Sequence, residues 1–328
     1  MLPTTTTCPP RSSSASRRSR PPSPAPPPSA RAGAASPPTQ PSPAASTSTT
    51  AAMLHSSASS RHSDLDHFRV LGCRHGLVLI LDTARFQLLV WDPVTGHQHR
   101  VSSIPTGFDG FRFVTCGAVL RAAPGDVHFQ IVLVTDDHEM EEWRAVACVY
   151  SSKTGAWGNL ILTPIPSGTL LSIDVLGVLV GHSLYWMLYG TSSNILQFDL
   201  KRESLALIPV PVSMFDFEGI TLMRAEDGEL SLLSLSGFTA QLWKRNTICN
   251  GVPSWGIVKT IELDKLLSLD SEEYVTTHGF PEDNNLVVLR VGISTIFTVQ
   301  IESLQFRKVT DNSKWYYYSF ESVYAAGI

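Results

Sequence analysis

A strand-and-turn unit that recurs five times constrains the fold of this chain more than any other feature of its sequence. Each copy is an apolar run followed by a turn, with a second apolar run before it, at a pitch of about 45 to 60 residues. Repeats of this length are typical of solenoids and propellers. The copies are residues 88–96, 147–155, 195–200, 240–244 and 296–302. The preceding runs are residues 77–81, 129–134, 184–188, 230–235 and 286–291.

This repeat predicts a β-propeller. An antiparallel sheet of three or four strands has two apolar faces, and it cannot cover both of them alone. Packing one sheet against the next around an axis buries both faces and leaves only short edges. We therefore predict an all-β fold over residues 63–328. It is a kelch-like β-propeller with about five four-stranded units, and residues 316–324 are a candidate closing strand.

The turn after the repeated strand supports this prediction. In the clearest copy, residues 92–96 read Asp-Pro-Val-Thr-Gly. Proline presets φ at the second turn position, and glycine takes the left-handed conformation that relieves the twist of the paired strands. The aromatic residues before the turns are predicted to pack between neighbouring sheets. They are Trp91, Tyr150, Phe198 and Trp243.

Helical periodicity is nearly absent from the repeat region, and only residues 263–267 are predicted to form a short helix. Residues 175–198 contain no Asp, Glu, Lys or Arg over a length that is sufficient to cross a bilayer. Gly181 and the polar run 190–194 interrupt this segment, however. Two buried strands joined by turns explain it better, so no membrane contact is expected.

Residues 1–62 differ in composition from the rest of the chain. They contain 13 of the 22 prolines and six arginines but no acidic residue. With so few large apolar side chains, they cannot bury enough surface to offset the entropy of ordering. The sequence therefore predicts a disordered tail.

Cysteine usage and the composition of the tail bear on the compartment. The five cysteines are odd in number and form no Cys-x-x-Cys pair, which favours free thiols in a reducing compartment. A Ser- and Arg-rich N-terminus without acids is also the composition of an organelle transit peptide. We expect a cytoplasmic or nuclear protein, with the chloroplast as the alternative.

The charge of the repeat region bears on the kind of partner. The chain has 25 Lys and Arg and 29 Asp and Glu, and six of the arginines lie in the tail. Residues 63–328 therefore carry a net charge of −10. Because neutralising nucleic-acid phosphates requires a basic surface, no nucleic-acid partner is expected.

Several linked motifs make residues 68–328 resemble a known family, the plant F-box proteins, which are numerous in grasses. The C-terminal half of these proteins is a kelch-like β-propeller. The motifs are residues 72–77 (Gly-Cys-Arg-His-Gly-Leu), 91–96, 147–155, 204–211, 241–245, 260–269 and 320–324 (Phe-Glu-Ser-Val-Tyr).

The resemblance implies a substrate receptor for a cullin-based ubiquitin ligase. In the family, an N-terminal F-box binds the ligase adaptor and the propeller binds the protein to be ubiquitinated. An F-box is a Leu- and Arg-rich helical segment, whereas Leu2 and Leu54 are the only leucines of residues 1–62. We expect a protein partner for the propeller, and no binding of the adaptor through an F-box.

The sequence predicts no catalytic, cofactor-binding or metal-binding residues. It contains no phosphate-binding glycine loop, no Gly-x-Ser-x-Gly elbow and no His-Glu-x-x-His motif. His97 and His99 alternate along one strand without a third ligand nearby, so no metal site is predicted there. A non-enzymatic binding module is therefore favoured. Because propellers also host enzymes, a carbohydrate-active enzyme is the alternative, and a scaffold that competes with full-length relatives is a third interpretation.

One turn is singled out as a candidate partner-binding loop. Turns between the second and third strands of each unit should open on one end of the propeller, and they vary in length and charge without a shared signature. Such variation is expected where recognition sets the sequence. Asp136, Asp137 and His138 belong to the longest and most polar of these turns. We predict that they form an exposed partner-binding loop rather than a metal or acid–base site.

Residues 65–328 are expected to fold without the tail and to contain less than ~15% helix, because their apolar residues lack the 3.6-residue period. Far-UV circular dichroism of a chain truncated before residue 65 measures this. A spectrum dominated by helix would contradict both the propeller and the family resemblance.

Overall fold

The structure is a computed structural model of the 328-residue chain. It describes residues 67–101, 104–105, 108, 115–121, 126–138, 142–172, 176–190, 194–210, 219–247, 253–270, 273–279, 286–293 and 295–310. All of these belong to one compact unit. The predictions of a disordered tail over residues 1–62 and of a closing strand at 316–324 lie outside the described residues.

Five antiparallel sheets follow one another along the chain, and we call them blades 1 to 5. Blade 1 contains β1 (Phe68–Arg74), β2 (Leu77–Asp82), β3 (Gln87–Trp91) and β4 (Gln98–Val101). Blade 2 contains β5 (Thr115–Arg121), β6 (Phe129–Asp137), β7 (Arg144–Ser151), β8 (Ala156–Trp157) and β9 (Ile161–Pro164). Blade 3 contains β10 (Leu170–Leu171), β11 (Val178–Val180), β12 (Ser183–Tyr189), β13 (Asn194–Asp199) and β14 (Ser204–Pro209).

The last two blades have four strands each. Blade 4 contains β15 (Gly219–Arg224), β16 (Leu230–Ser236), β17 (Thr239–Thr247) and β18 (Pro253–Glu262). Blade 5 contains β19 (Val275–Gly279), β20 (Leu286–Val291), β21 (Thr295–Gln300) and β22 (Phe306–Thr310). The α-helix α1 (Leu263–Leu267) follows blade 4 at the predicted place. The prediction of an all-β propeller with about five units is confirmed.

In two of the blades, two short strands together occupy one of the four strand positions. In blade 2 the outer position is shared by β8 and β9, which both pair with β7. In blade 3 the first position is shared by β10 and β11, which both pair with β12. The interruption in blade 2 matters for function, because β9 lies beside the end of the hairpin formed by β6 and β7.

Hydrophobic clusters join consecutive blades. The cluster between blades 1 and 2 includes the fully buried side chains of Leu79 and Leu133, and the one between blades 2 and 3 includes Phe198. Similar clusters join blade 3 to blade 4 and blade 4 to blade 5. Because the clusters form on alternating residues of the strands, each strand contributes side chains to both of its faces.

The predicted packing of the turn aromatics is confirmed for three of the four residues. Tyr150 lies in the cluster between blades 1 and 2, Phe198 in that between blades 2 and 3, and Trp243 packs on that between blades 3 and 4. The indole nitrogen of Trp243 also donates to the Ser234 hydroxyl at 3.0 Å. Trp91 differs, because it packs on a small cluster of blade 1 residues alone.

The turn after the third strand has the predicted geometry. Gly96 and Gly155 take the left-handed conformation, with φ of +74° and +70°. In blade 1 the turn is held by Asp92, whose Oδ1 accepts the backbone N–H groups of Val94 and Thr95 at 3.0 and 3.2 Å. The turn therefore needs both an acceptor at its start and a residue that tolerates positive φ at its end.

The turn between the second and third strands of blade 1 is also initiated by an aspartate. There Asp82 Oδ1 accepts the backbone N–H groups of Ala84 and Arg85 at 3.1 and 3.0 Å. Phe86 then takes the left-handed position, with φ of +52°. This is the arrangement found at Asp92, and a short aspartate-initiated turn can therefore close strand pairs at either end of a blade.

The uncharged segment 175–198 forms strands, as predicted. Its described part contains β11, β12 and most of β13. No helix among the described residues is long and apolar enough to cross a membrane. None of the described cysteines, which are Cys73, Cys116 and Cys148, forms a disulfide bond.

Gly190 offers a test of the packing at the end of blade 3. A Cβ atom at this position would collide with the backbone carbonyl of Gly168, which has no flexible side chain to move aside. We expect Gly190→Ala to lower the free energy of unfolding by about 1–3 kcal/mol, as is usual for overpacking. Gly158→Ala is the matched control, because its Cβ would meet only Val149 O at an ordinary 3.5 Å. Equal unfolding midpoints in urea for the two variants would contradict this.

Candidate functional site

One end of the propeller collects the turns between second and third strands together with the segments that connect successive blades. We call this end the connection face. It follows from the alternating strand direction within each blade. The hairpin of β6 and β7 reaches this face at residues 136–138 and 142–144, beside the densest group of titratable side chains in the sequence.

The prediction that Asp136 and Asp137 belong to an exposed loop is wrong. β6 runs to Asp137, and pairing with β7 continues through Asp136↔Ala145 and Asp137↔Arg144. Asp136 is 1% exposed and Asp137 is 6% exposed. The backbone pairing extends further than the apolar run, so the two carboxylates are drawn into the packed end of the blade. Whether this hairpin contacts a partner stays a prediction.

The carboxylate of Asp136 links blade 2 to blade 3. Its Oδ2 accepts the backbone N–H of Leu171 at 2.9 Å and lies 3.8 Å from His138 Nε2. Burial raises the pKa of Asp136, and the Leu171 hydrogen bond and the nearby His138 oppose this only in part. Asp136 therefore contributes a fixed contact between blades rather than a solvent-exposed charge.

Asp137 lies on the opposite face of the same strand and pairs with an arginine. Nε and Nη2 of Arg144 both contact Asp137 Oδ2, at 2.8 and 2.7 Å. Asp137 shares its strand face with Leu133, which packs against blade 1. The ion pair therefore neutralises a buried carboxylate and holds the guanidinium at the rim.

His138 and Trp143 close the end of the hairpin. Their rings stack with centroids 4.3 Å apart and an angle of 38° between their planes. Trp143 also packs on the cluster between blades 2 and 3, and its carbonyl accepts the backbone N–H of Ile165 at 2.8 Å. The indole is thus held from two sides and has little freedom to change rotamer.

Beside these rings lies an open pocket of about 600 Å³. Its floor and walls come from the start of β7 and the end of β9, which pair with each other, and Leu162 is 50% exposed there. The lining residues are Glu142, Trp143, Arg144, Leu162, Thr163 and Pro164. We call these six residues, together with Asp136, Asp137 and His138, the hairpin-end site.

Sequence reasoning missed two thirds of this site. It selected Asp136, Asp137 and His138, but it did not select the six residues of the pocket. The segments 142–144 and 162–164 meet only because β9 pairs with β7. A usable signal was Pro164 at the end of a short apolar run, since proline within a sheet marks an edge strand.

The histidines considered as metal ligands have other surroundings. His97 precedes β4 rather than lying in it, so the two histidines do not alternate along one strand. The ring of His99 meets Phe129 edge-on at 5.2 Å, and its Nε2 lies 3.3 Å from the Tyr150 hydroxyl. Within the described part of the chain, no three His, Cys, Asp or Glu residues are grouped closely enough to hold a metal ion.

Five antiparallel blades that pack face to face in chain order form a β-propeller domain. The family model for the β-propeller of F-box proteins similar to AT5G49610 matches residues 69–324 of this chain. The chain therefore belongs to this family of F-box protein β-propellers.

Comparison with other proteins adds little to this assignment. No curated protein matches the chain. Among solved structures, a luciferin-regenerating enzyme is 9% identical, with a TM-score of 0.43 over 76% of this chain and 77% of the enzyme. A Bacteroides caccae protein of unknown function is 12% identical, with a TM-score of 0.37 over 75% and 73%. The Malassezia sympodialis allergen Mala s 1 is 10% identical, with a TM-score of 0.38 over 74% and 78%.

The contact between Asp136 and Leu171 is expected to stabilise the fold. In Asp136→Ala the buried backbone N–H of Leu171 loses its acceptor, so the free energy of unfolding should fall by about 1–3 kcal/mol. Asp126→Ala is the control, because Asp126 accepts only the exposed backbone N–H of His128. Urea unfolding measures both variants. A loss no larger than that of the control would show that the buried contact does not stabilise the fold.

The raised pKa of Asp136 predicts how stability depends on pH. Because the folded protein holds this proton more tightly than the unfolded chain, ionisation of Asp136 costs stability as the pH rises through the folded-state pKa. Asp136→Asn cannot ionise. Its free energy of unfolding relative to wild type should therefore increase from about pH 4 to about pH 7. Urea unfolding across this range checks the sign, and a decreasing difference would contradict it.

Proposed function

We propose that this propeller is a non-enzymatic protein-recognition module that binds a polypeptide at the hairpin-end site. The observation that carries the proposal is the pocket beside Trp143 and Leu162. An aromatic ring and an exposed aliphatic side chain that share a concave surface are the usual anchors of a protein interface. The surrounding charged residues provide a polar rim.

The side chains of the site are also preorganised for binding. Arg144 is held by Asp137, and Trp143 is held by His138 and by the core. Side chains that are already ordered lose little conformational entropy on association. A ligand therefore gains most of the contact energy that the pocket offers.

Membership of the F-box protein family supports a protein partner as well. The family resemblance implies that such propellers receive the proteins to be ubiquitinated. We propose that the bound polypeptide is a target of this kind.

A catalytic role for Asp136 and Asp137 is disfavoured by their surroundings. Asp137 is neutralised by Arg144, and Asp136 is buried against blade 3. A general acid or base must lie within hydrogen-bond reach of a bound substrate, and neither carboxylate faces open solvent. The same groups are well placed for a structural role beneath a binding surface.

Selection of peptides from a random displayed library on the full-length chain tests the proposal. Affinity for a selected peptide should fall about tenfold or more in Leu162→Ser, because a buried leucine contributes about 1.5–3 kcal/mol. Ile293→Ser is the matched control, since Ile293 is 87% exposed in a turn of the same face in blade 5. Fluorescence anisotropy measures both affinities. Equal losses in the two variants, or no selected peptide, would rule out recognition at this site.

A further inference from the structure

The hairpin-end site presents an uneven charge to a ligand. Of the residues that line the pocket, only Glu142 and Arg144 are charged. Arg144 directs Nε and Nη2 at Asp137, which is buried. Glu142 is exposed, and it forms no ion pair with any described residue. Of these two charged groups, the Glu142 carboxylate is therefore the one that is available to a ligand.

An anionic ligand group would compete poorly with Asp137 for the guanidinium of Arg144. To bind Arg144 through the same donors, it would have to displace Asp137. Asp137 would then lose its ion pair with Arg144 while it stayed buried, which is unfavourable for a carboxylate. A cationic group meets no such obstacle, because Glu142 is exposed at the pocket and none of the described residues forms an ion pair with it.

The same face of the propeller exposes a second leucine. Leu162 lines the pocket, and Leu170 at the start of β10 is 48% exposed. The exposed apolar surface of this face is therefore not confined to blade 2.

The charge of the whole repeat region acts in the same direction. Residues 63–328 carry a net charge of −10. An acidic domain attracts basic partners over distances of about one Debye length, and this raises their rate of association. Local and long-range electrostatics therefore favour the same class of ligand.

We infer that the hairpin-end site selects a polypeptide segment in which an aliphatic or aromatic side chain is flanked by Lys or Arg. The apolar side chain contacts Trp143 and Leu162, and the cation pairs with Glu142. This inference rests on the proposed function and names the chemistry of the partner.

The peptide library on the full-length chain gives the first test. Selected sequences should share Lys or Arg next to an apolar residue. For such a peptide, Glu142→Lys should lower the affinity about tenfold or more, because a charge-assisted contact becomes a repulsion. Glu229→Lys is the control. It changes the net charge equally, but Glu229 is exposed in the turn before β16, at the other end of the blades.

A charge exchange gives the second test. A peptide in which the flanking Lys or Arg is replaced by Glu should bind Glu142→Lys better than it binds wild type. Equal losses in Glu142→Lys and Glu229→Lys, or selected peptides without cations, would overturn the inference. If Leu162→Ser still abolished their binding, the proposed function would stand. If Leu162→Ser had no effect, or if no peptide were selected, the inference and the proposed function would both be wrong.

Discussion

Burial of the two apolar faces of each blade against its neighbours is the interaction on which the rest of the structure depends. Strands such as β6 contribute alternate side chains to two different clusters, with Leu133 facing blade 1 and Val132 facing blade 3. Burying each large apolar side chain contributes about 1.5–3 kcal/mol. A single sheet would leave half of this surface in water, so the blades are stable only together. The sequence repeats because every blade needs apolar residues on both of its faces.

This packing confines variation to the ends of the strands. Most residues in the middle of each blade must be apolar because they pack in the hydrophobic clusters. Residues beyond the apolar runs can differ between copies. Blade 2 uses this freedom by extending the β6–β7 pairing to Asp137 and Arg144. The extension carries polar groups into a packed environment, where each one needs a partner. Leu171 and Arg144 supply those partners, and the result is a rigid rim around an open pocket.

The blade count, the turns and the single helix could be predicted from sequence because their signals are local. An apolar run and the Asp-Pro-Val-Thr-Gly turn at 92–96 identify strand and turn without reference to the rest of the chain. The surroundings of Asp136 could not be predicted in this way. A run of acids beside a histidine is typical of an exposed loop, and only the partners in blade 3 reverse that expectation. Trp143 and Leu162 were missed for the same reason, since they meet through the β7–β9 pairing.

The sequence by itself determined the fold class, the family and the acidic character of residues 63–328. Periodicity, turn chemistry and charge can be read from neighbouring residues, so they are fixed before any long-range contact forms. Only the tertiary structure decided which side chains share the hairpin-end site, that Asp136 and Asp137 are buried, and that Glu142 is exposed beside the pocket. Each of these depends on residues distant in the chain, whose positions are set by strand pairing and by the packing of one blade on the next.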